Sequence, residues 1–282
     1  MKAVILAAGR SFRMKPIEDK NFLEFLGKPL IAHQLNALIS AGFKEILVVG
    51  GSHNLSGLRR LIRQGDFKGA KVNLKEQENL DLGMAGAILS SAKWIKNDPF
   101  FAVSANDVLD GEAYSVMVRH SNHDVGTGLM LAHKVSKYFP GGYLKIAKNG
   151  LIKGIVEKPG EGKEPSKLVN IVVHYHPNSK LLIEELKKVK TNRDDRYECA
   201  LQTLLDKGTK YKAVPYTGFW QPIKYPWHVI ALMNHFLGGI KSYRAAKTEV
   251  AKTAVIKGEV YLEDGVKVLD NVVICGPAYI GK

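Results

Sequence analysis

The chain has 282 residues, 45% of them apolar, which suffices for one large domain plus an appendage. Its 41 Lys and Arg against 27 Asp and Glu give a formal charge of +14, but the cations are dispersed, with no basic block and no aromatic interleaving. That argues against nucleic acid and leaves a polyanionic small ligand as the natural partner. No apolar run reaches the length of a membrane span or a signal-peptide core, and two distant cysteines, Cys199 and Cys275, read as buried inert thiols, so a cytoplasmic protein with no membrane partner is expected.

In chain order, short apolar runs alternate with helical patterns, the mark of an α/β domain with a mostly parallel sheet. Val4–Ala8 reads as a strand ending on Gly9. Lys28–Ala41 reads as a helix, with Pro29 in its first turn and Gly42 after its end. Strands follow at Glu45–Val49 and Val72–Lys75, with a helix at Leu55–Gln64 between them. A helix at Met84–Ala92 and a strand at Phe100–Ser104 come next. From Gly126 the pattern turns β-rich, at Thr127–Ala132, Tyr143–Ala147, Leu151–Val156 and Val169–Tyr175. Helices at Asn178–Val189 and Asp195–Lys207, a strand at Lys210–Pro215 and a helix at Trp227–Leu237 complete the domain, 1–240. A polar linker is expected over 241–252.

The last stretch, 253–282, has a six-residue register. Ile256, Leu262, Val268, Ile274 and Ile280 recur six apart, with Gly258, Asp264, Asp270 and Gly276 two positions after an apolar residue, and Val260, Val266, Val272 and Ala278 two positions later still. No helix has that period, and a parallel β-solenoid does. The register stops in mid-repeat, which reads as a truncated solenoid that packs on the main domain, pairs with another subunit or belongs to a longer chain. It holds no histidine that could serve acyl transfer.

The candidate chemistry begins in the first βα turn. Leu6, Ala7, Ala8 and Gly9 are small enough for backbone to approach a flat or anionic ligand, and their N–H groups can cradle phosphate. Arg13 and Lys20 are spaced to reach the same place, at the carboxyl end of a strand, where open α/β sheets bind ligands. Taken alone, this describes any mononucleotide fold. Two histidines, His174 and His176, flank Tyr175 in one strand and share a face, but no third ligand has suitable spacing, so they read as ordinary polar strand residues. Trp94, Trp220 and Trp227 read as core or pocket wall.

Leu6–Arg13, then Lys20 in Asp19-Lys20-Asn21-Phe22-Leu23, then Gly27-Lys28-Pro29-Leu30-Ile31, resembles the opening of the sugar-1-phosphate nucleotidylyltransferases. The likeness continues in order. Gln77-Glu78-Asn79 with Gly83-Met84-Ala85-Gly86-Ala87 is similar to the family's base-reading segment. Asp107 stands where the family places a metal-binding aspartate, and Gly142, Glu157-Lys158-Pro159 and Asn170 resemble its sugar-phosphate pocket. The resemblance spans about 1–237 and implies a Rossmann-like domain with a mixed central sheet. It implies nucleotide binding at Leu6, Ala7, Ala8, Gly9, Gln77 and Gly83, catalysis by Arg13, Lys20 and Asp107, and Mg2+ on Asp107. Sugar-phosphate binding falls to Gly142, Glu157, Lys158 and Asn170. The implied reaction joins a nucleoside triphosphate, UTP or dTTP, to a sugar-1-phosphate, releasing pyrophosphate. The tail resembles the left-handed β-helix of hexapeptide acyltransferases, which implies a homo-oligomer.

This chain departs from the family pattern at three points. Ser11 and Phe12 replace a glycine and a threonine of the phosphate loop, and Ala105-Asn106 precede Asp107 where a glycine is common. Above all, Trp220-Gln221-Pro222 puts a proline where the family has a second metal-binding aspartate. Two other readings therefore stay open: a nucleotide-sugar-binding or regulatory homologue without turnover, and a structural assembly module organised by the solenoid.

Overall fold

The computed structural model describes residues 1–191 and 195–281. Among them, nine strands form one mixed sheet. Its spine is Lys2–Leu6, buried on both faces: Ala3 and Ile5 point to one layer, Val4 and Leu6 to the other. A strand sandwiched in this way has to be a continuous apolar run. It pairs in parallel with Glu45–Gly50 on one side and Phe100–Ser104 on the other, and Lys71–Glu76 continues beyond Glu45–Gly50. Leu168–His176 then joins antiparallel to Phe100–Ser104.

That nine-residue strand is where the sheet branches. A register shift between Ile171 and His174 lets it pair with Gly128–Lys134, which carries Tyr211–Tyr216 in parallel, and it also touches Gly142–Ile146 through Val169 and Tyr143. Gly142–Ile146 and Ile152–Glu157 form the antiparallel hairpin at that edge.

Helices α1 (Leu30–Ser40), α2 (Leu55–Gln64) and α4 (Gly111–His123) cover one face of the sheet, and α3 (Gly83–Ile95), α5 (Ser179–Lys188) and α6 (Arg196–Asp206) the other. No helix was expected from the sequence over 111–123. Its inward residues, Ala113, Tyr114, Met117 and Ser121, are interrupted by Ser, Arg, His and Asn, so the apolar stripe is thin. Helix α7 (His228–Gly238) buries Leu232 in a separate cluster with Met14, Phe25, Leu30, Val108 and Ile223, tying the end of the domain to its first loop.

The tail is a three-sided parallel solenoid with eighteen residues per coil, as Tyr243 pairs with Tyr261 and Tyr261 with Tyr279. Val260, Leu262, Val266 and Val268 fill its centre. Ile256, expected inside, is 38% exposed on the first rung of its side. Residues 241–252 are not a plain linker: Tyr243–Arg244 and Glu249–Val250 pair with the coil above, at Tyr261–Leu262 and Lys267–Val268. The coil was masked in sequence because a polar residue occupies an inward position. Thr248 is buried there, its hydroxyl donating to the Glu263 carbonyl. The solenoid docks on the main domain where Tyr279 lies against Gly27, leaving no space for a side chain at that glycine.

Of the cysteines, Cys199 is half-buried and Cys275 exposed, so the expectation of two buried thiols does not hold. No described helix is long and apolar enough to cross a membrane.

Candidate active site

The carboxyl ends of Lys2–Leu6 and Phe100–Ser104 lie side by side, and the chain leaves them in opposite directions, which opens a crevice between the two following loops. The first loop is braced from below. The Ala7 carbonyl accepts from the Asn21 amide at 3.1 Å and the Asn54 amide at 2.9 Å, and Asn54 also donates to Asp19 at 2.6 Å. Asp19 in turn accepts from the Asn21 N–H, starting the short turn that carries Lys20. Ser11 adopts the left-handed conformation, φ 52°, which explains why a glycine suits this position. Phe12 then points outward, 66% exposed, with the Arg10 guanidinium over its ring. Its bulk therefore sits at the rim rather than within the loop.

A cavity of about 770 Å3 opens above this loop. Leu6, Ala8, Gly9, Arg13, Lys20, Gln77 and Gly83 line it together, as do Ser11, Asn106 and Lys224. Ala7 does not: it is 1% exposed and serves as the anchor of the loop. At the far wall, the Gln77 amide donates to the Asn79 and Gly83 carbonyls, both at 2.9 Å. Both of its protons are thus engaged, and Oε1 is the atom left to face a ligand, where the sequence alone suggested a group that donates and accepts. Gly83 needs its positive φ of 52° to turn the chain into α3, and Gly86 has no room for a Cβ beside the Gln77 amide.

Asp107 follows Asn106, which lines the cavity. Its short strand, Asp107–Leu109, pairs antiparallel with Trp220–Pro222, so that Pro222 lies directly across from Asp107. Trp220 Nε1 donates to the Asp107 carboxylate at 2.9 Å, and the Ser104 hydroxyl donates to it as well. Gln34 of α1 holds the turn by donating to the Ala105 and Asp107 carbonyls at 3.1 Å. Burial pushes the Asp107 carboxyl above the usual carboxylate range, against the pull of these donors and of Lys224 and Lys20.

Two cations, Lys20 and Lys224, act on that carboxylate, and a third, Arg13, acts on both lysines. Lys20 is 7% exposed and its ammonium donates to the Ile223 carbonyl at 3.4 Å. Burial, reinforced by Arg13, pulls it down to about 8. Burial also lowers Lys224, where Asp107 and Glu157 oppose the shift and Arg13 and Lys158 add to it. Arg13 lies over the Tyr225 ring at 5.6 Å, and Tyr225 stacks on Trp227 at 4.6 Å. Lys224 was not singled out from the sequence, although it sits in the same nine-residue segment as Trp220 and Pro222. A cation placed two residues after the proline was the available signal.

Gly142, Glu157, Lys158 and Asn170 gather beyond Lys224 and do not line the main cavity. Gly142 pairs with Glu157, whose Oε2 would lie 3.0 Å from a Cβ added at the glycine, and Asn170 lies on its other side. Lys158, with φ 46°, reaches Glu157 at 4.0 Å in an exposed pair. Asn170 has a protein partner rather than waiting for a ligand: its oxygen accepts from His174 Nε2 at 2.8 Å. Hydrogen-bond logic then orders the interior. His174 Nδ1 must accept from the Tyr197 hydroxyl at 2.7 Å, Tyr197 accepts from His176 Nε2 at 2.9 Å, and His176 Nδ1 accepts from the Tyr211 hydroxyl at 2.8 Å. Burial drives His174 down to about 3 and His176 well below its ordinary value, so both stay neutral. The pair His174 and His176 is therefore a buried relay, and among the described residues no three His, Cys, Asp or Glu come together as a metal site.

A cationic crevice at the switch point of a Rossmann-like sheet defines an α/β protein built to hold polyanions. The nucleotidyl transferase family model matches residues 2–223, and the chain belongs to that family. It is 29% identical over 275 residues to the bifunctional protein GlmU of Methanococcus maripaludis, covering 96% of this chain and 62% of the relative. It is 28% identical over 278 residues to a bifunctional sugar-1-phosphate nucleotidylyltransferase/acetyltransferase of Sulfurisphaera tokodaii, covering 95% and 63%. The chain thus spans about three fifths of the length of these relatives. In fold it is similar to a UDP-glucose pyrophosphorylase from Acinetobacter baumannii, with a TM-score of 0.71 at 20% identity, over 83% of this chain and 92% of that one.

Proposed function

We propose that the protein is a sugar-1-phosphate nucleotidylyltransferase. The observation that carries this reading is the charge of the crevice: Arg13, Lys20 and Lys224 line one cavity, and burial together with their mutual repulsion lowers both lysines even though Asp107, Asp19 and Glu157 oppose the shift, a balance that a bound polyanion would improve. A triphosphate lies along the Gly9 loop, its α-phosphate toward Lys20 and its base against Gly83. Gln77 Oε1, with both amide protons engaged, accepts from the base. Uracil and thymine present an N–H at N3 where cytosine has a bare nitrogen, so among the pyrimidines UTP or dTTP is favoured over CTP.

The sugar-1-phosphate sits between Gly142, Glu157, Lys158 and Asn170. The Asn170 oxygen is held by His174, so its NH2 points outward as a fixed donor to a sugar oxygen. A phosphate oxygen of the sugar attacks the α-phosphorus in line, the bond to the bridging oxygen breaks, and pyrophosphate leaves with its charge neutralised by Arg13 and Lys20. A divalent ion such as Mg2+ fits here only with Asp107 as its single protein carboxylate, since Pro222 across the ribbon has no donor to offer. Such an ion would supply charge neutralisation at the phosphates.

The setting is cytoplasmic, and the solenoid brings copies of the chain together. Pyrophosphate release, measured across a panel of nucleoside triphosphates and sugar-1-phosphates with Mg2+, tests the reading. Release with UTP or dTTP and at least one sugar phosphate is expected; no release with any pair refutes it.

A further inference from the structure

Lys224 stands at a place that neither half of the crevice explains alone. It lines the nucleotide cavity with Lys20 and Arg13, and it also interacts with Glu157 and Lys158 on the sugar side. Its ammonium lies 4.9 Å from the Phe139 ring, over whose face it is held in a half-buried position. The backbone around it is pinned: Ile223 N–H donates to the Asn106 carbonyl at 2.7 Å, and the Ile223 carbonyl receives the Lys20 ammonium. Two lysines from distant segments thus meet across one peptide, beside a carboxylate that already accepts from Trp220. Like charges so placed repel one another, and a bound polyanion would relieve that repulsion. Across the ribbon from Asp107 the chain offers Pro222, which has neither charge nor donor. The positive charge at this end of the crevice therefore comes from a side chain.

We infer that Lys224 is a substrate-binding cation between the two half-sites, contacting the phosphates of the bound nucleotide, and that it lets the protein bind a nucleoside triphosphate without a divalent ion. This rests on the nucleotidylyltransferase reading of the crevice. A metal-bound triphosphate and a lysine-bound one differ in one measurable respect, the effect of a chelator on affinity, and that can be read without turnover.

The experiment is calorimetric titration of UTP and dTTP into the full chain, in EDTA and again in excess Mg2+. The proteins are the wild type, Lys224→Met, Lys224→Arg and, as a control, Lys20→Met. Wild type is expected to bind in EDTA to within a few-fold of its affinity in Mg2+. Lys224→Met should lose about tenfold or more in EDTA, the loss typical of one charge-assisted hydrogen bond, and should recover much of it when Mg2+ is added. Lys224→Arg should keep most of the metal-free binding. Thermal unfolding should show Lys224→Met no less stable than wild type, because the change removes a charge from a like-charged cluster. Equal binding by Lys224→Met and wild type in EDTA overturns the inference and leaves the nucleotide site intact, provided Lys20→Met binds weakly. No binding by wild type in either buffer overturns both the inference and the nucleotidylyltransferase reading.

Discussion

Above the first loop the crevice gathers Arg13, Lys20 and Lys224, whereas around Asn170 it gathers two histidines and two tyrosines that carry no charge. The first end is poised by electrostatic imbalance, tolerated because the loops that carry the cations are held by Asn21, Asn54 and the Phe25 cluster. The second is poised by saturation: every polar atom along the relay from Tyr211 to Asn170 has its partner inside the protein, and a single NH2 is left pointing out. Charge draws a phosphate in with little regard for its geometry, while a fixed neutral donor discriminates among sugars.

The contrast breaks most visibly at Lys20. Removing one preorganised cation typically costs on the order of 3 kcal/mol in the transition state. Lys20→Met should therefore lower kcat/KM roughly a hundredfold or more, measured by pyrophosphate release. Its stability should move the other way. The folded value of about 8 lies below the unfolded 10.5, so at neutral pH folding works against the charged form, and this cost fades as pH rises through 8 toward 10.5. At pH 7 the variant should be more stable than wild type by about 1–3 kcal/mol in urea unfolding. In the wild type, kcat/KM should fall above about pH 8 as the free protein loses this charge, and nucleotide binding at pH 9 should take up a proton. A variant that loses both activity and stability would show that Lys20 is a structural ion rather than a strained one.

The sugar end calls for a quieter result. His174→Phe leaves the Tyr197 hydroxyl and the Asn170 oxygen without their partner, so the amide is free to turn. KM for the sugar-1-phosphate should rise about tenfold, near the worth of one oriented hydrogen bond, while UTP affinity, read by titration, stays within twofold. His174→Gln, whose amide can donate to Asn170, should recover part of the loss. If nucleotide affinity falls in step with sugar affinity, the relay supports the sheet as a whole and not Asn170 in particular.

How much of this could be read from residues follows the same division. The phosphate loop was legible because its parts are local: a strand, small residues at 7–9, then Arg13 and Lys20 within one short stretch. The central strands Lys2–Leu6, Glu45–Gly50 and Phe100–Ser104 were legible because burial on both faces makes each a nearly continuous apolar run. The tail's hexads announced their fold. What escaped depends on distant pairing. Lys224 joins Lys20, through the Ile223 carbonyl, only after residues 107–109 and 220–222 form a ribbon. His174 looked like a polar strand residue because Tyr197, its partner, lies on a helix 23 residues on. Helix α4 escaped because half of its length is polar, and the first coil because a threonine holds an apolar place.

The smallest effect belongs to Ser11, at the charged end but itself neutral. Its left-handed backbone costs a non-glycine residue about 1 kcal/mol, which Ser11→Gly would relieve. Against that, glycine gains more freedom in the unfolded chain, and the hydroxyl that accepts from the Lys20 N–H at 3.4 Å is lost. These terms nearly cancel, so the midpoint of unfolding should shift by less than about 1 kcal/mol in either direction. Nucleotide binding is the sharper readout. If the loop serves phosphate through its backbone N–H groups, as small side chains at 7–9 suggest, Ser11→Gly binds UTP as wild type does. A several-fold loss of affinity, with stability unchanged, would instead put the serine hydroxyl on the phosphate, adding a neutral donor to the end of the crevice otherwise governed by charge.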